Sequence, residues 1–238
     1  MEEIYSVKDN HHVELNSIFE DEDSFGHFDF YKLRYQSVDK IHMNSLLFIG
    51  MNPSNLDNKI QDSDFYNLSQ DNNVYKKFFS KFEDISEYVK LKWSHLDLLF
   101  FRNTNQNDID CILHKDTKNG LDFICKQLDV SKKILENIRP KIIVVSNAKA
   151  RFFLGLEKSK NKKGAEIHVW MGYDFKFDDT IGTYRITNKN SNLQNTPVFF
   201  TSMLSGQAAL DKGSFERLKW HIKFVNDNKC VFPASSLL

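Results

Sequence analysis

The sequence predicts an α/β fold, with three αβα layers around a central, mostly parallel four-stranded sheet. Four short apolar runs carry that expectation: Leu46–Ile49, Leu96–Phe101, Ile142–Val145, and Val198–Phe200 with Thr201. Each run is continuous rather than alternating, as in strands covered on both faces. Helical patterns lie between the runs, which gives the βαβ rhythm of a parallel, doubly covered sheet.

In chain order, residues 1–40 mix acidic stretches such as Glu20–Asp23 with Phe25, Phe28, Phe30 and Tyr31, and read as an amino-terminal extension packing on the core. After the first apolar run, Val74, Phe78, Phe82 and Ile85 recur at helical spacing, as do Leu121, Cys125 and Leu128 further on. Residues 156–196 break the rhythm and read as an inserted β-rich segment. It opens with the basic loop Lys158–Lys163 and continues with AEIHVW, YDFKF and TYRIT, short strands of a meander. A last helix carries Phe215, Leu218, Ile222 and Val225 behind Ser214 as its cap. The chain, 1–238, reads as a single domain.

Composition narrows the function classes. The chain has 238 residues, 41% hydrophobic and 13% aromatic, enough for one sizeable core. Its 32 basic and 32 acidic residues cancel, so nucleic-acid contact requires a local patch rather than a global field. Cys111, Cys125 and Cys230 are scattered and form no CxxC pair, which argues against a disulfide framework, a zinc site or an iron–sulfur cluster and for a reducing cytoplasm. The polar, acidic start lacks the pattern of an export signal, and no apolar run approaches the roughly 20 residues of a membrane span. The expectation is a cytoplasmic monomer without metal, cofactor or membrane partner.

Ligands of open α/β sheets bind beyond the strand carboxyl ends, so the residues after each run are the candidate site. They are Gly50-Met51-Asn52-Pro53-Ser54, Arg102-Asn103-Thr104-Asn105, Ser146-Asn147-Ala148 and Ser202-Met203-Leu204-Ser205-Gly206-Gln207. Gly, Asn and Pro are also what a plain turn uses, so the first set alone leaves function and turn equally open. In the functional reading, Gly50 admits close backbone approach, Pro53 stiffens the loop, and Asn52 orients a water that its amide cannot deprotonate.

These residues resemble the uracil-DNA glycosylase superfamily. GMNPS is similar to the GMNPG motif of its single-strand-selective members, whose Asn positions water. The family's base-stacking aromatic lies thirteen residues further on, which is Phe65 here, and the base-reading Asn after its next strand matches Asn103. The segment RPKIIVVSNAKARFFLG, residues 139–155, looks like the strand-then-helix segment of the same superfamily. The sequence VFFTSMLSGQ sits where the family has its His-Pro-Ser-Pro loop, so the resemblance spans roughly 41–228. It implies a monofunctional DNA glycosylase with no lysine nucleophile. Asn52 is its catalytic residue, Phe65, Asn103, Met51 and Ser205 bind the base, and Ser54, Ser202, Met203, Gly206, Gln207, Lys162 and Lys163 meet DNA.

The chain departs from that pattern in the last loop, where Met203 replaces the His that polarises a uracil carbonyl while Ser205 keeps the family's Ser. This makes uracil a poor expected substrate, and a modified pyrimidine the expected one. Anti-phage glycosylases of the superfamily that remove hypermodified cytosines would suit such a pocket. Bland readings stand beside these. His95 and His221 read as structural, Ser146-Asn147 as a helix cap, Phe78-Phe79 as core, and Lys158–Lys163 as a solvated loop sooner than as a phosphate contact. His168, in the insertion, is a further candidate to reach the site. The alternative on the same fold is a nucleic-acid or nucleotide-binding protein that does not cleave. An unrelated nucleotide-processing enzyme would need a Gly-rich phosphate loop, which is missing here.

Overall fold

The computed structural model describes residues 3–20, 34–54, 64–68, 72–105, 107–115, 117–156, 159–160, 166–168, 170–206 and 209–228. The elements begin with β1 (Ile4–Ser6), α1 (Val7–Glu20), β2 (Gln36–Val38), β3 (Lys40–His42), β4 (Leu46–Gly50), β5 (Asp64–Tyr66), α2 (Asn72–Val89) and β6 (Trp93–Asp97). There follow α3 (Asn107–Lys115), α4 (Thr117–Ile138), β7 (Ile142–Val145), α5 (Ala148–Leu154), β8 (Ser159–Lys160) and β9 (Glu166–His168). The chain closes with β10 (Phe175–Asp178), β11 (Thr183–Ile186), β12 (Pro197–Phe200) and α6 (Lys212–Asp227).

A sheet of six strands, ordered β10-β11-β12-β7-β4-β6, forms the middle layer. β12, β7, β4 and β6 are mutually parallel, while β10 and β11 run antiparallel at one edge. The expected four parallel strands are therefore present, but the expectation of a four-stranded sheet is corrected to six. The inserted segment extends the sheet through the β10–β11 hairpin, because β11 hydrogen-bonds the open edge of β12.

Period-two alternation sends side chains to two cores. Leu47, Ile49, Ile143, Val145 and Val198 face α1, α3, α4 and α5; Leu46, Phe48, Ile142, Val144 and Phe199 face α2 and α6. Helices thus cover both faces. Val7, Leu15, Ile18 and Phe19 of α1 are buried in the first core, whereas Phe25, Phe28, Phe30 and Tyr31 lie outside the described residues.

Two boundaries differ from the sequence reading. The second parallel strand is Trp93–Asp97, not Leu96–Phe101. Leu98–Phe101 are buried beyond it, tied by Leu98 and Leu99 backbone N–H groups to the carbonyls of Gly50 and Met51 and by the Phe100 and Phe101 N–H groups to the Gln127 side-chain oxygen. The cap of α6 is Asp211 rather than Ser214; its Oδ1 accepts from the Ser214 N–H at 3.0 Å, and the Ser214 hydroxyl donates back to Oδ2.

Candidate functional site

The four parallel strands end at one edge, and hydrogen bonds sew their trailing segments together. Ser146 donates from N and Oγ to the Ile49 carbonyl, Thr201 N donates to Val145 O, and Asn103 N donates to Pro53 O at 2.9 Å. In sequence order the strands start at β4, step out to β6, then return past β4 to β7 and β12. The chain therefore reverses direction beside β4, which makes the crevice at its carboxyl end the switch point where such sheets take ligands.

Asn52 lies there, two residues past β4 and half-buried. Its Nδ2 donates to the carbonyl of Asn103 at 2.6 Å and of Pro53 at 3.1 Å, with the Phe101 carbonyl at 3.4 Å. Three acceptors around one end identify it as the NH2, since an oxygen there would face only oxygens. Oδ1 is thereby turned away from them, and it accepts no hydrogen bond from the described residues. It can accept one from a water.

The other sequence-predicted residues divide. Asn103 reaches the same place through its backbone, but its side chain is engaged in its own loop: Nδ2 donates to Asp108 at 2.8 Å and Oδ1 accepts from Asn105 N at 2.8 Å. One N–H and one lone pair remain for a ligand. Phe65 lies on β5, paired with β2, and its ring meets Tyr35 and His12 edge-on at 5.6 and 6.0 Å. Met51 is a core residue, 2% exposed, so its side chain is withdrawn from base contact. Ser54 and Ser205 are half-buried and Ser202 is exposed. Met203 bridges Ala209, its carbonyl accepting from Leu210 N, and Gly206 turns the loop at φ 87°. Lys158, Lys162, Lys163 and Gln207 lie outside the described residues, as does the side chain of His168.

Several plain readings describe what is seen. Asn147 caps α5, its Oδ1 accepting from Lys149 N and Ala150 N. The His221 ring is bonded to the Ile181 carbonyl at 2.6 Å. Phe79 is buried, and with Phe78 and Phe82 it surrounds His95.

His95 and Asp97 were missed as a pair. Spaced by two on β6, they share the face that looks towards α2, opposite Leu46, Phe48 and Gly50 of β4; the register pairs Phe48 with His95 and Gly50 with Asp97. Gly50 makes the room. A Cβ there would lie 2.1 Å from Asp97 Oδ1 and 3.0 Å from His95 Nε2. The two side chains approach at 3.6 Å, too far for a hydrogen bond, and neither ring nitrogen of His95 has a partner among the described residues. Burial lowers the His95 pKa to about 3 and raises that of Asp97 to about 7. The HxD spacing beside a strand-ending Gly was the available signal.

A groove of about 860 Å³ lies elsewhere, between α1 and α4, lined by solvated side chains such as Asn10, Glu14, Lys126 and Lys133, away from the strand ends. Among the described residues no helix is long and apolar enough to cross a membrane, and no three His, Cys, Asp or Glu side chains are grouped to hold a metal. No protein-family model, curated protein or solved structure matches this chain.

Proposed function

We propose that this protein is a monofunctional DNA glycosylase of the uracil-DNA glycosylase-like type, which flips a nucleotide into the crevice beyond β4 and hydrolyses its N-glycosidic bond. The observation that carries the reading is Asn52, anchored by three backbone carbonyls at the sheet's switch point with its acceptor oxygen left to hold water. A group so fixed orients a nucleophile without reorganising during the reaction, which is where much of a hydrolytic rate enhancement originates. The order of the GMNPS, Phe65, Asn103 and 202–207 motifs supports the same reading.

A base inside a stacked duplex is out of reach, so extrusion precedes cleavage. Asn103 reads the base edge with the N–H and lone pair its loop leaves unused, and Phe65 contributes apolar surface. The substrate is a modified pyrimidine such as a hypermodified cytosine of phage DNA. Uracil is disfavoured, because Met203 cannot donate to a departing uracil oxygen as a His does.

Release of free base from oligonucleotides carrying uracil, hydroxymethylcytosine or glucosylated hydroxymethylcytosine tests the proposal. The modified cytosines should be released well ahead of uracil. Efficient uracil release would return the chain to ordinary uracil repair. DNA binding without release of any base would make it a non-cleaving binder.

A further inference from the structure

An oriented water still needs somewhere to send its proton, and Asn52 has no useful basicity. The His95–Asp97 pair, at the carboxyl end of β6 beside β4, is chemistry not yet used. Gly50 is both the last residue of β4, two before Asn52, and the register partner of Asp97. On this face β4 presents Leu46, Phe48 and then Gly50, so large side chains give way to none where the Asp97 carboxyl sits. Any larger residue would collide with that carboxyl.

We infer that Asp97 is the general base of the proposed hydrolysis, taking the proton of the water that Asn52 orients. The inference rests on the hydrolytic reading of this site. As the water O–H bond breaks, the proton passes to the Asp97 carboxylate and the water oxygen bonds to the anomeric carbon. The carbon–nitrogen bond breaks with its electron pair on the base. The proton then passes to the base nitrogen, which restores the carboxylate and releases a neutral base.

The surroundings suit that task. The Asp97 side chain keeps 13% exposure and has no hydrogen bond to the described residues, so its oxygens remain open to a water. From α2 His95 meets Phe78, Phe79 and Phe82, and on β4 Phe48 is the register partner of His95 and Gly50 that of Asp97. The β2 strand brings no titratable group, and β3 brings Lys40 and His42; burial is the cause of both shifts. Burial lifts the carboxyl to about 7, where a carboxylate is basic enough to accept a proton and still ionised at neutral pH. His95, held neutral, leaves no cation to pull that value down.

Two measurements on the full chain test this. Carbon NMR titration should show the Asp97 carboxyl ionising near pH 7, and the rate of base release from glucosylated hydroxymethylcytosine DNA should rise with the same midpoint. Asp97→Asn should lower release by roughly 10²–10⁴-fold, abolish the acidic limb and leave DNA affinity unchanged. A carboxyl titrating near pH 4 overturns the inference whatever the activity. An Asp97→Asn protein that retains rate and limb overturns it while leaving hydrolysis at Asn52 standing. A native protein that releases no base from any of the three DNAs removes the hydrolytic reading and the inference together.

Discussion

The carboxyl end of β6 and the β10–β11 hairpin border opposite edges of one sheet and treat their polar groups in opposite ways. In and around the hairpin, carboxylates and hydroxyls are answered. Asp178 accepts from Arg185 Nε at 2.6 Å and from Thr180 N and Oγ1, and Thr183 donates to the Val198 carbonyl at 2.7 Å. Glu136 of α4 accepts from the Tyr173 hydroxyl, the Ser191 hydroxyl and Asn192 N, which stitches the segment around the hairpin to the helix beneath. At the β6 end, among the described residues, His95 has two buried nitrogens without partners, and the Asp97 carboxyl lies 3.6 Å from it without a hydrogen bond. Satisfied polar groups specify structure, whereas unsatisfied ones persist where surrounding packing enforces them and are concentrated at sites of chemistry. The contrast sets the proposed site at β4 and β6 apart from the reinforced insertion.

The sharpest way to break the contrast is to remove the buried carboxyl. The folded-state pKa of Asp97 lies above its ordinary 3.8, so the folded protein favours the protonated form. Its contribution to stability is full below pH 3.8 and declines as pH rises through about 7. Asp97→Asn should therefore raise stability at pH 8 by on the order of 4 kcal/mol, the gain shrinking towards pH 4. Denaturant unfolding at the two pH values measures this. A loss of stability at pH 8 would mean that the carboxylate is satisfied and the contrast false. His95 runs the other way: its folded-state pKa is lowered, so stability present above pH 6.5 is lost as pH falls towards about 3.

On the opposite edge the same experiment should change sign. Glu136→Ala leaves the Tyr173 and Ser191 hydroxyls and Asn192 N without their acceptor, and should cost about 2–3 kcal/mol at neutral pH in the same unfolding assay. Smaller still, Asn147→Ala removes two cap hydrogen bonds from α5 and should cost about 1 kcal/mol. Smallest is Lys149→Ala, which loses an exposed 2.8 Å pair with Asp110 worth less than about 1 kcal/mol. A larger loss at Lys149 than at Glu136 would invert the ranking.

These regions also differ in how far they could be read from sequence. β4, β7 and β12 are uninterrupted apolar runs, so their positions and the polar residues after them were legible. β6 was displaced by three residues because the polar groups that give it chemical interest, His95 and Asp97, dilute its apolar signal, while Leu98–Phe101 are buried without being strand. Apolar runs report burial, and burial is not always sheet. The joining of β11 to β12 was hidden because pairing across 10 or more residues leaves no local mark. Asn52 was legible as a residue type in a motif. Its three carbonyl acceptors, and the self-bonded state of the Asn103 amide, arise from two loops meeting and had no signature in either.

The central claim is that Asn52 orients a hydrolytic water at the switch point beside β4. Single-turnover base release and DNA affinity, measured side by side for the native protein, Asn52→Ala and Asn52→Asp, test it most directly. Asn52→Ala should slow release by about 10²–10³-fold with affinity nearly unchanged, since only the oriented oxygen is lost, while Asn52→Asp should retain activity. Unchanged release by Asn52→Ala, or a loss of release that follows a matching loss of DNA binding, would contradict the account.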